Sequence, residues 1–259
     1  MSYVENIFGL NGRVAAVVGG GGVLAGAMAQ GLAKAGADIA ILDLNPDNAE
    51  KMAKACREHG VKAMSVAVDA TSKSGLQEAE KNVSEELGVV DILINAPGIN
   101  SSTPFFEISE GEWDKIIQVN LKSIFLASQV FAKQMIDNNK KGSIINISSA
   151  SSGPPLSKVF TYSVSKAGIN NMTQFLAREW ATQGVRVNAI APGFFPAEQN
   201  RKILTEERVA DIMRHTPMDR FGEAEELVGA TIWLSSEKAS SFVTGAIIRV
   251  DGGFTAMTI

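Results

Sequence analysis

Tyr162 and Lys166 are the residues of this chain whose type and spacing point most directly to chemistry. From Phe160 onward apolar residues recur at helical spacing, so two side chains four residues apart lie on one helical face. A tyrosine hydroxyl exchanges protons poorly at neutral pH unless its pKa is lowered, and a neighbouring ammonium has that effect. The pair therefore predicts a general acid/base, with Lys166 lowering the pKa of Tyr162.

Two more polar residues extend this candidate site. Ser149 follows the β-branched run 143–147, a predicted strand, and its hydroxyl is placed to bond the same substrate oxygen as Tyr162. Asn120 stands among apolar residues, where a buried amide is costly unless it is hydrogen-bonded. An isolated Tyr-x-x-x-Lys pair usually lies on a solvated helix face, so the catalytic interpretation depends on these companions.

The first 43 residues contain a predicted nucleotide-binding unit. An apolar run at 13–18 stops at the glycines 19–22, a helical pattern covers 23–35, and a second apolar run, 37–42, precedes Asp43. Such a strand, glycine turn, helix, strand and acid is typical of dinucleotide binding, with the pyrophosphate at the helix N-terminus. Asp43 is placed to bond the ribose hydroxyls and repel a 2′-phosphate, which predicts NAD over NADP.

The rest of the chain continues the same alternation. Further strands are predicted at 62–68, 91–94, 143–147, 185–190 and 247–250, with helices at 46–59, 73–87, 110–136, 160–182 and 223–234. Alternating strands and helices predict the α/β class: a single-domain Rossmann fold over 1–259, with a seven-stranded parallel, doubly wound sheet and helices on both faces. Ligands bind at the carboxyl ends of such strands, where Asp43, Asp69, Asn95, Ser149 and Pro192 fall.

From residue 13 to residue 254 the chain resembles the short-chain dehydrogenases/reductases. The resemblance rests on the glycine-rich start, Asn120, Ser149, Tyr162 and Lys166. It implies an oxidoreductase that interconverts a secondary alcohol and a ketone by hydride transfer with NAD(H) or NADP(H). Those four residues would be the catalytic set, in which Lys166 also binds the nicotinamide ribose and Asn120 holds a water that completes a proton relay.

The resemblance also implies a set of cofactor-binding positions. They are Gly19, Gly22, Val23, Leu24, Asp43, Leu44, Asp69, Ala70, Asn95, Ala96, Tyr162, Lys166, Pro192, Gly193 and Phe195. Asp69 has a second interpretation, as the N-cap of the following helix. The chain departs from the family pattern at Val18, Val23 and Ala25 in the glycine motif, at Pro97, and at Ala197 in place of a threonine.

The stretches 191–201 and 215–222 resemble the family's D-mannonate oxidoreductase or D-fructuronate reductase subgroup, which acts on sugar acids. The implied substrate residues are Ser149, Lys158, Tyr162, Asn200 and Arg201, under a lid at about 194–220. A carboxylate-bearing polyol needs cationic and polar partners, although Lys158 and Arg201 equally suit a solvated surface. The alternatives are a reductase of another ketose, polyol or small ketone, and a non-catalytic nucleotide-binding regulator.

Composition narrows the remaining classes. The 259 residues carry a net charge of −4, which gives a nucleic-acid partner no electrostatic support. The single cysteine, Cys56, excludes an internal disulfide, and with two scattered histidines it suggests no metal site. No signal peptide or membrane-spanning run stands out, so we expect a cytoplasmic protein. The family resemblance implies a homotetramer with helices 110–136 and 160–182 at one interface.

Overall fold

The computed structural model describes residues 2–154, 156–196 and 205–257. Within them a parallel sheet of seven strands has the order β3-β2-β1-β4-β5-β6-β7. The strands are β1 Val14–Val18, β2 Asp38–Asp43, β3 Ala63–Ala67, β4 Ile92–Asn95, β5 Ser143–Ile147, β6 Arg186–Pro192 and β7 Ile247–Val250. Each strand overlaps its predicted position, and the predicted parallel sheet is confirmed.

The α-helices of the described residues connect these strands and cover the sheet. They are α1 Tyr3–Phe8, α2 Val23–Lys34, α3 Pro46–Arg57, α4 Lys73–Glu86, α5 Glu110–Ile117, α6 Ser123–Asp137, α7 Phe160–Trp180, α8 Glu206–Arg214, α9 Val228–Ser235 and α10 Glu237–Ser240. None of them combines the length and apolar character needed to cross a membrane.

Two hydrophobic cores lie on opposite faces of the sheet. Val17 and Ile41 pack into one core with residues of α2 and α3, whereas their neighbours Val18 and Leu42 pack into the other with residues of α4 and α6. Successive strand side chains point to opposite faces, so these continuous apolar runs feed both cores. The predicted doubly wound architecture, with helices on both faces, is therefore confirmed.

Strand β1 is the point where the strand order reverses, because it pairs with β2 on one side and β4 on the other. In sheets of this type the crevice at the carboxyl ends beside that point is the usual ligand site. A cluster of charged side chains lies at the opposite, amino ends of the strands. Buried Asp91 bonds Arg13 at 3.0 Å and Lys140 at 3.3 Å and accepts a hydrogen bond from the backbone N–H of Val14.

Helix 110–136 is not continuous as predicted. A π-helical turn, Gln118–Lys122, separates α5 from α6. The predicted helix 223–234 begins as a 3-10 turn, Ala224–Leu227, and α1 and α10 were not predicted. Of the predicted lid at about 194–220 the structure describes residues 194–196 and 205–220, which include α8, whereas Ala197, Asn200 and Arg201 lie outside the described residues.

Candidate active site

Helix α7 carries Tyr162 and Lys166 on one face, as their spacing predicts. The Lys166 Nζ lies 5.5 Å from the centroid of the Tyr162 ring and donates a hydrogen bond of 2.7 Å to the carbonyl of Ile147. Only 3% of Lys166 is exposed, and this burial lowers its pKa from 10.5 to about 8. The ammonium is therefore held at the end of β5 by a backbone carbonyl.

The pKa of Tyr162 does not follow the prediction. Burial raises the pKa of the phenol, and a hydrogen bond with Ser149 acts in the opposite direction without cancelling that effect. The predicted lowering by Lys166 is wrong for this arrangement, because desolvation dominates and the ammonium is bonded to Ile147 instead. Tyr162 is consequently a neutral phenol at ordinary pH, able to donate its proton.

Ser149 caps the short 3-10 turn Ala150–Ser152 directly after β5. Its Oγ accepts hydrogen bonds from the backbone N–H of Ser151 at 3.2 Å and from the Ser151 hydroxyl at 3.1 Å. Its carbonyl accepts from Ser152 Oγ at 2.6 Å, and Asn170 of α7 donates to that same Ser152 oxygen at 2.8 Å. This network ties the turn that carries Ser149 to the helix that carries Tyr162.

Asn120 occupies the π-helical turn and is fully buried. Its Oδ1 accepts from the Ile99 N–H at 2.8 Å, and its Nδ2 donates to the Ile99 carbonyl at 2.9 Å and to Ser165 Oγ at 3.1 Å. A Cβ on Gly98 would lie 3.7 Å from the Lys166 Nζ and 3.8 Å from the Asn120 Oδ1. Gly98 therefore leaves a narrow space between the lysine and the amide, where the predicted relay would run.

The glycine turn after β1 allows a close approach of backbone to backbone. Gly19 has φ +74°, and a Cβ there would meet the Pro97 nitrogen at 2.9 Å, so a larger residue would be strained and crowded. Gly22 begins α2 without a side-chain cap. The first amides of that helix are thus left for a ligand, and an anion such as a pyrophosphate fits there.

Asp43 is fixed at the carboxyl end of β2. Its Oδ2 accepts from the Gly21 N–H and its Oδ1 from the Asn45 N–H, each at 2.9 Å. Next to it Leu44 is 74% exposed, and Val23 at the start of α2 is 59% exposed. The Asp43 carboxylate can accept hydrogen bonds from the two hydroxyls of a ribose. The exposed apolar side chains beside it can pack against the attached base.

The side chains of two predicted cofactor residues, Asn95 and Asp69, have partners within the protein. The Asn95 side chain is fully buried and donates to Ser128 Oγ and Asn146 Oδ1, so it braces β4 against β5 instead of lining the crevice. Asp69 is exposed but does not cap α4: it bonds the N–H and hydroxyl of Thr71, and Ser72 is the cap. Ala70, the neighbour of Asp69, is half-buried.

The other predicted cofactor positions also lie near the carboxyl ends of the strands. Ala96 and Leu24 are partly buried against the core. Gly193 donates its N–H to the Val250 carbonyl at 2.9 Å, directly after Pro192 at the end of β6. The Phe195 ring covers Gly222, where a Cβ would come within 2.3 Å of it. Phe195 therefore packs as a wall of this region.

A cavity of about 640 Å³ is framed by the loop 101–104 and by residues before and within α7. Its lining combines the hydroxyl groups of Ser102, Thr103, Ser151, Ser152 and Ser163 and the predicted substrate residue Lys158 with an apolar side made by Pro104, Phe105, Leu156, Phe160, Val164 and Ala167. Lys158 has φ +67°, a left-handed conformation that is uncommon and costly for a residue with a side chain. Hydroxyl groups and one cation suit a polar, anionic ligand.

Sequence reasoning missed Ser151, which bonds Ser149, and Ser165, which bonds Asn120 and the Tyr162 carbonyl. It also missed Asn170, which holds the turn after β5 through Ser148 and Ser152. The serine-rich run 148–152 was the available signal, but serines are common in loops and their partners depend on the turn. The described residues contain no group of three His, Cys, Asp or Glu side chains arranged to hold a metal ion.

Comparison with known proteins identifies the family. The family model described as Enoyl-(Acyl carrier protein) reductase matches residues 22–255 of the chain. The chain belongs to the short-chain dehydrogenase/reductase (SDR) family. The protein is therefore an oxidoreductase of the dehydrogenase/reductase type, as its sequence predicted.

Several relatives of this SDR carry more specific descriptions. Gluconate 5-dehydrogenase of Gluconobacter oxydans is 33% identical over 96% of this chain and 97% of its own length. A Haemophilus influenzae structure with bound NAD, provisionally assigned as a D-mannonate oxidoreductase, is 35% identical with a TM-score of 0.93, covering 99% of each chain. A Burkholderia cenocepacia gluconate 5-dehydrogenase with NADP and tartrate is 33% identical with a TM-score of 0.93, covering 99% of this chain and 100% of its own.

Proposed function

We propose that this SDR interconverts a secondary alcohol and a ketone on a sugar acid, using NAD(H) and Tyr162 as the general acid/base. The observation that carries the proposal is the meeting of Ser149, Tyr162 and Lys166 beside a hydroxyl-lined cavity containing Lys158. The names of the gluconate and mannonate relatives support the substrate class.

In the reductive direction Tyr162 donates its proton to the carbonyl oxygen while Ser149 holds that oxygen with its own hydroxyl. The bound nicotinamide supplies the hydride. Because burial raises the pKa of Tyr162, the phenol stays protonated until a developing alkoxide takes the proton. Oxidation is the reverse: Tyr162 first loses its own proton through the relay of Lys166 and Asn120, and the phenolate then accepts the proton of the alcohol.

The proton lost by Tyr162 is replaced through Lys166 and Asn120. Lys166, with a pKa of about 8, can give up and regain a proton near neutral pH far more easily than an ordinary lysine. One acceptor site on the Asn120 Oδ1 is left after its bond to Ile99, across the space beside Gly98. Lys166 also binds the nicotinamide ribose in this proposal.

Substrate binding would combine the cation of Lys158 with the hydroxyl groups of the cavity. A sugar acid has a carboxylate for the cation and several hydroxyls that require partners, which matches this lining. Asn200 and Arg201 are proposed to complete the site from the lid. If Lys158 is only a solvated surface residue, its replacement will leave the Michaelis constant for the sugar acid unchanged.

The cofactor preference rests on Asp43. A 2′-phosphate would bring negative charge next to a fixed carboxylate, whereas two ribose hydroxyls can donate to it. Structures of relatives contain NAD in one case and NADP in another, so the relatives do not indicate one cofactor. The proposed preference therefore depends on this chain's own residues. The remaining predicted cofactor residues, Asp69 and Ala70 included, are proposed to line the adenosine half of the crevice.

A homotetramer is part of the proposal. On α6, 46% of Phe125 is exposed, and on α7, 60% of Phe175 is exposed. Phe131 on α6 is instead fully buried in the core. Large apolar side chains exposed on neighbouring helices favour an interface between subunits. Solution mass measured by light scattering tests this, and a monomer would contradict it. A cytoplasmic location stays a prediction.

The substrate class is tested with a panel containing gluconate, mannonate, 5-ketogluconate and fructuronate, beside neutral ketoses and simple ketones, each with NAD(H) and NADP(H). We expect turnover of one or more sugar acids, with the Michaelis constant for that acid raised about tenfold in Lys158→Ala. Turnover of neutral ketoses or ketones alone would contradict the sugar-acid proposal. Nucleotide binding without any turnover would favour the regulator.

A further inference from the structure

Two hydrogen bonds from Ser151 restrict the direction in which the Ser149 hydroxyl can donate its proton. A serine hydroxyl has one proton to donate and two acceptor sites. The Ser149 Oγ accepts the backbone N–H of Ser151 at 3.2 Å and the Ser151 hydroxyl at 3.1 Å. Ser151 is only 3% exposed, so bulk water does not readily displace either bond. Both donors of this buried residue approach the Ser149 Oγ from the same side.

We propose that Ser151 is a positioning residue that fixes Ser149 as a hydrogen-bond donor. With that side of the oxygen taken by two donors, the Ser149 proton points away from Ser151 and is directed to the oxygen of Tyr162 or of the substrate. The catalytic meaning of this orientation rests on the proposed function. The orientation itself is a property of the protein and can be measured without a substrate.

The phenol of Tyr162 reports on this orientation. Ser149 lowers the Tyr162 pKa by bonding the phenol oxygen, so a weaker donor leaves that pKa higher. The charged group nearest the ring is Lys166 on α7, 5.5 Å from its centroid. The 640 Å³ cavity adds Lys158 and, through a hydrogen bond from Thr103, Glu112 of α5. A Ser151 substitution changes none of these charges.

The chain permits a clean measurement because it contains two tyrosines, Tyr3 and Tyr162. Tyr3 is 80% exposed on α1, and Tyr3→Phe leaves Tyr162 as the single tyrosine. Tyrosine labelled with ¹³C at Cζ alone gives one ring resonance in an NMR spectrum of this background. Its pH titration yields the Tyr162 pKa, and its position at neutral pH reports the hydrogen bond to the phenol oxygen even if ionisation lies beyond the stable pH range.

We expect Ser151→Ala to raise the Tyr162 pKa by about half a unit, the effect of weakening one hydrogen bond, and to shift the neutral-pH resonance in the same direction as Ser149→Ala. Ser151→Thr keeps the hydroxyl and should retain the parent value. Ser152→Ala is the matched control: it removes an equally near serine hydroxyl that bonds the Ser149 carbonyl instead of its Oγ.

The proposal is overturned if Ser151→Ala leaves the resonance and the pKa at the parent values, or if Ser152→Ala shifts them equally, since either result assigns the effect to the loop. Circular dichroism of each variant establishes that it is folded. Failure of all substrates would contradict the proposed function and leave this result standing. With an active substrate, Ser151→Ala should lower kcat about threefold with little change in the Michaelis constant.

Discussion

At the residue scale, Lys166 carries a charge that the folded protein disfavours. Its pKa is about 8 in the folded protein against 10.5 for an ordinary lysine, so the charged form costs the folded state about 3 kcal/mol at neutral pH. Below pH 8 this cost is fully present. Between pH 8 and 10.5 the unfolded chain binds more protons, so stability rises with pH across that window.

Lys166→Met tests this cost by removing the charge while keeping an unbranched side chain. Relative to Lys166→Met, the wild type should gain stability between about pH 7 and about pH 9.5 in urea unfolding, because its lysine becomes neutral. The matched control is Lys133→Met, whose exposed lysine pairs with Asp137 and should show no such gain. A difference that is flat or falls with pH would contradict the burial argument.

Asp43 is expected to set the choice between NAD and NADP. Asp43→Asn removes the charge but keeps an oxygen for the Gly21 N–H, so kcat/KM with NADP should rise about tenfold relative to NAD. Steady-state rates with both cofactors measure this ratio. Asp47→Asn, the same change on the exposed first turn of α3, is the control. An unchanged ratio in Asp43→Asn would show that the preference comes from elsewhere.

The residues that carry the proposed chemistry could be identified from type and spacing, because Tyr162, Lys166 and Asp43 follow or lie on predicted elements at characteristic positions. The partners of these residues could not. Ser151 bonds Ser149 only because the chain turns after β5. The Asn95 side chain points into the core, where it donates hydrogen bonds to Ser128 and Asn146. Such contacts depend on tertiary packing, which residue type alone does not encode.

At the element scale, the strands were predictable because each is a short apolar run bounded by glycines or polar residues. The π-helical turn at Gln118–Lys122 was not, since the residues on both sides keep helical spacing and the register change leaves no local signal. That turn holds Asn120, the buried amide of the proposed relay. Departure from regular helix thus coincides with a proposed functional position.

Gly31 shows why α2 is rich in small residues. A Cβ on Gly31 would lie 2.4 Å from Val228 Cγ1 of α9, a branched side chain with little freedom to move. We expect Gly31→Ala to lower the free energy of unfolding by about 1–3 kcal/mol through overpacking, measured by urea denaturation. Adding Val228→Ala should recover part of this loss.

Gly111→Ala is the matched control for that substitution. Gly111 lies in α5, and a Cβ added there would have no neighbouring atom within 4 Å, so alanine should stabilise the helix by about 0.5–1 kcal/mol. If Gly31→Ala is also stabilising, the close packing of α2 against α9 is not what requires a glycine there.

At the scale of the whole molecule, the two ends of the strands have different roles. The candidate active site lies at their carboxyl ends. Asp91, which is 2% exposed, lies with Arg13 and Lys140 at their amino ends. Asp91 itself is buried, whereas Arg13 and Lys140 are each 35% exposed and Arg13 also pairs with Glu237, so replacing Asp91 removes charge-assisted hydrogen bonds without stranding a buried cation. Stability and the proposed chemistry should therefore respond to different substitutions.

Asp91→Asn is expected to lower the free energy of unfolding by roughly 2 kcal/mol, through the charge-assisted hydrogen bonds it removes, and to leave kcat unchanged at temperatures where the variant stays folded. Asp137→Asn, which breaks the exposed pair with Lys133, should cost under about 0.5 kcal/mol. Urea denaturation and steady-state rates measure the two effects. A large loss of kcat in folded Asp91→Asn would mean that the two ends of the strands are coupled.

The central claim is that Tyr162 moves the proton of the redox reaction. The most direct measurement compares wild type and Tyr162→Phe for turnover of the best substrate of the panel and for NADH binding by fluorescence titration. Phenylalanine keeps the ring beside Lys166 and removes only the hydroxyl. We expect kcat to fall by about 10²- to 10⁴-fold while the NADH dissociation constant changes by less than about twofold. Turnover near the wild-type rate in Tyr162→Phe would contradict the account.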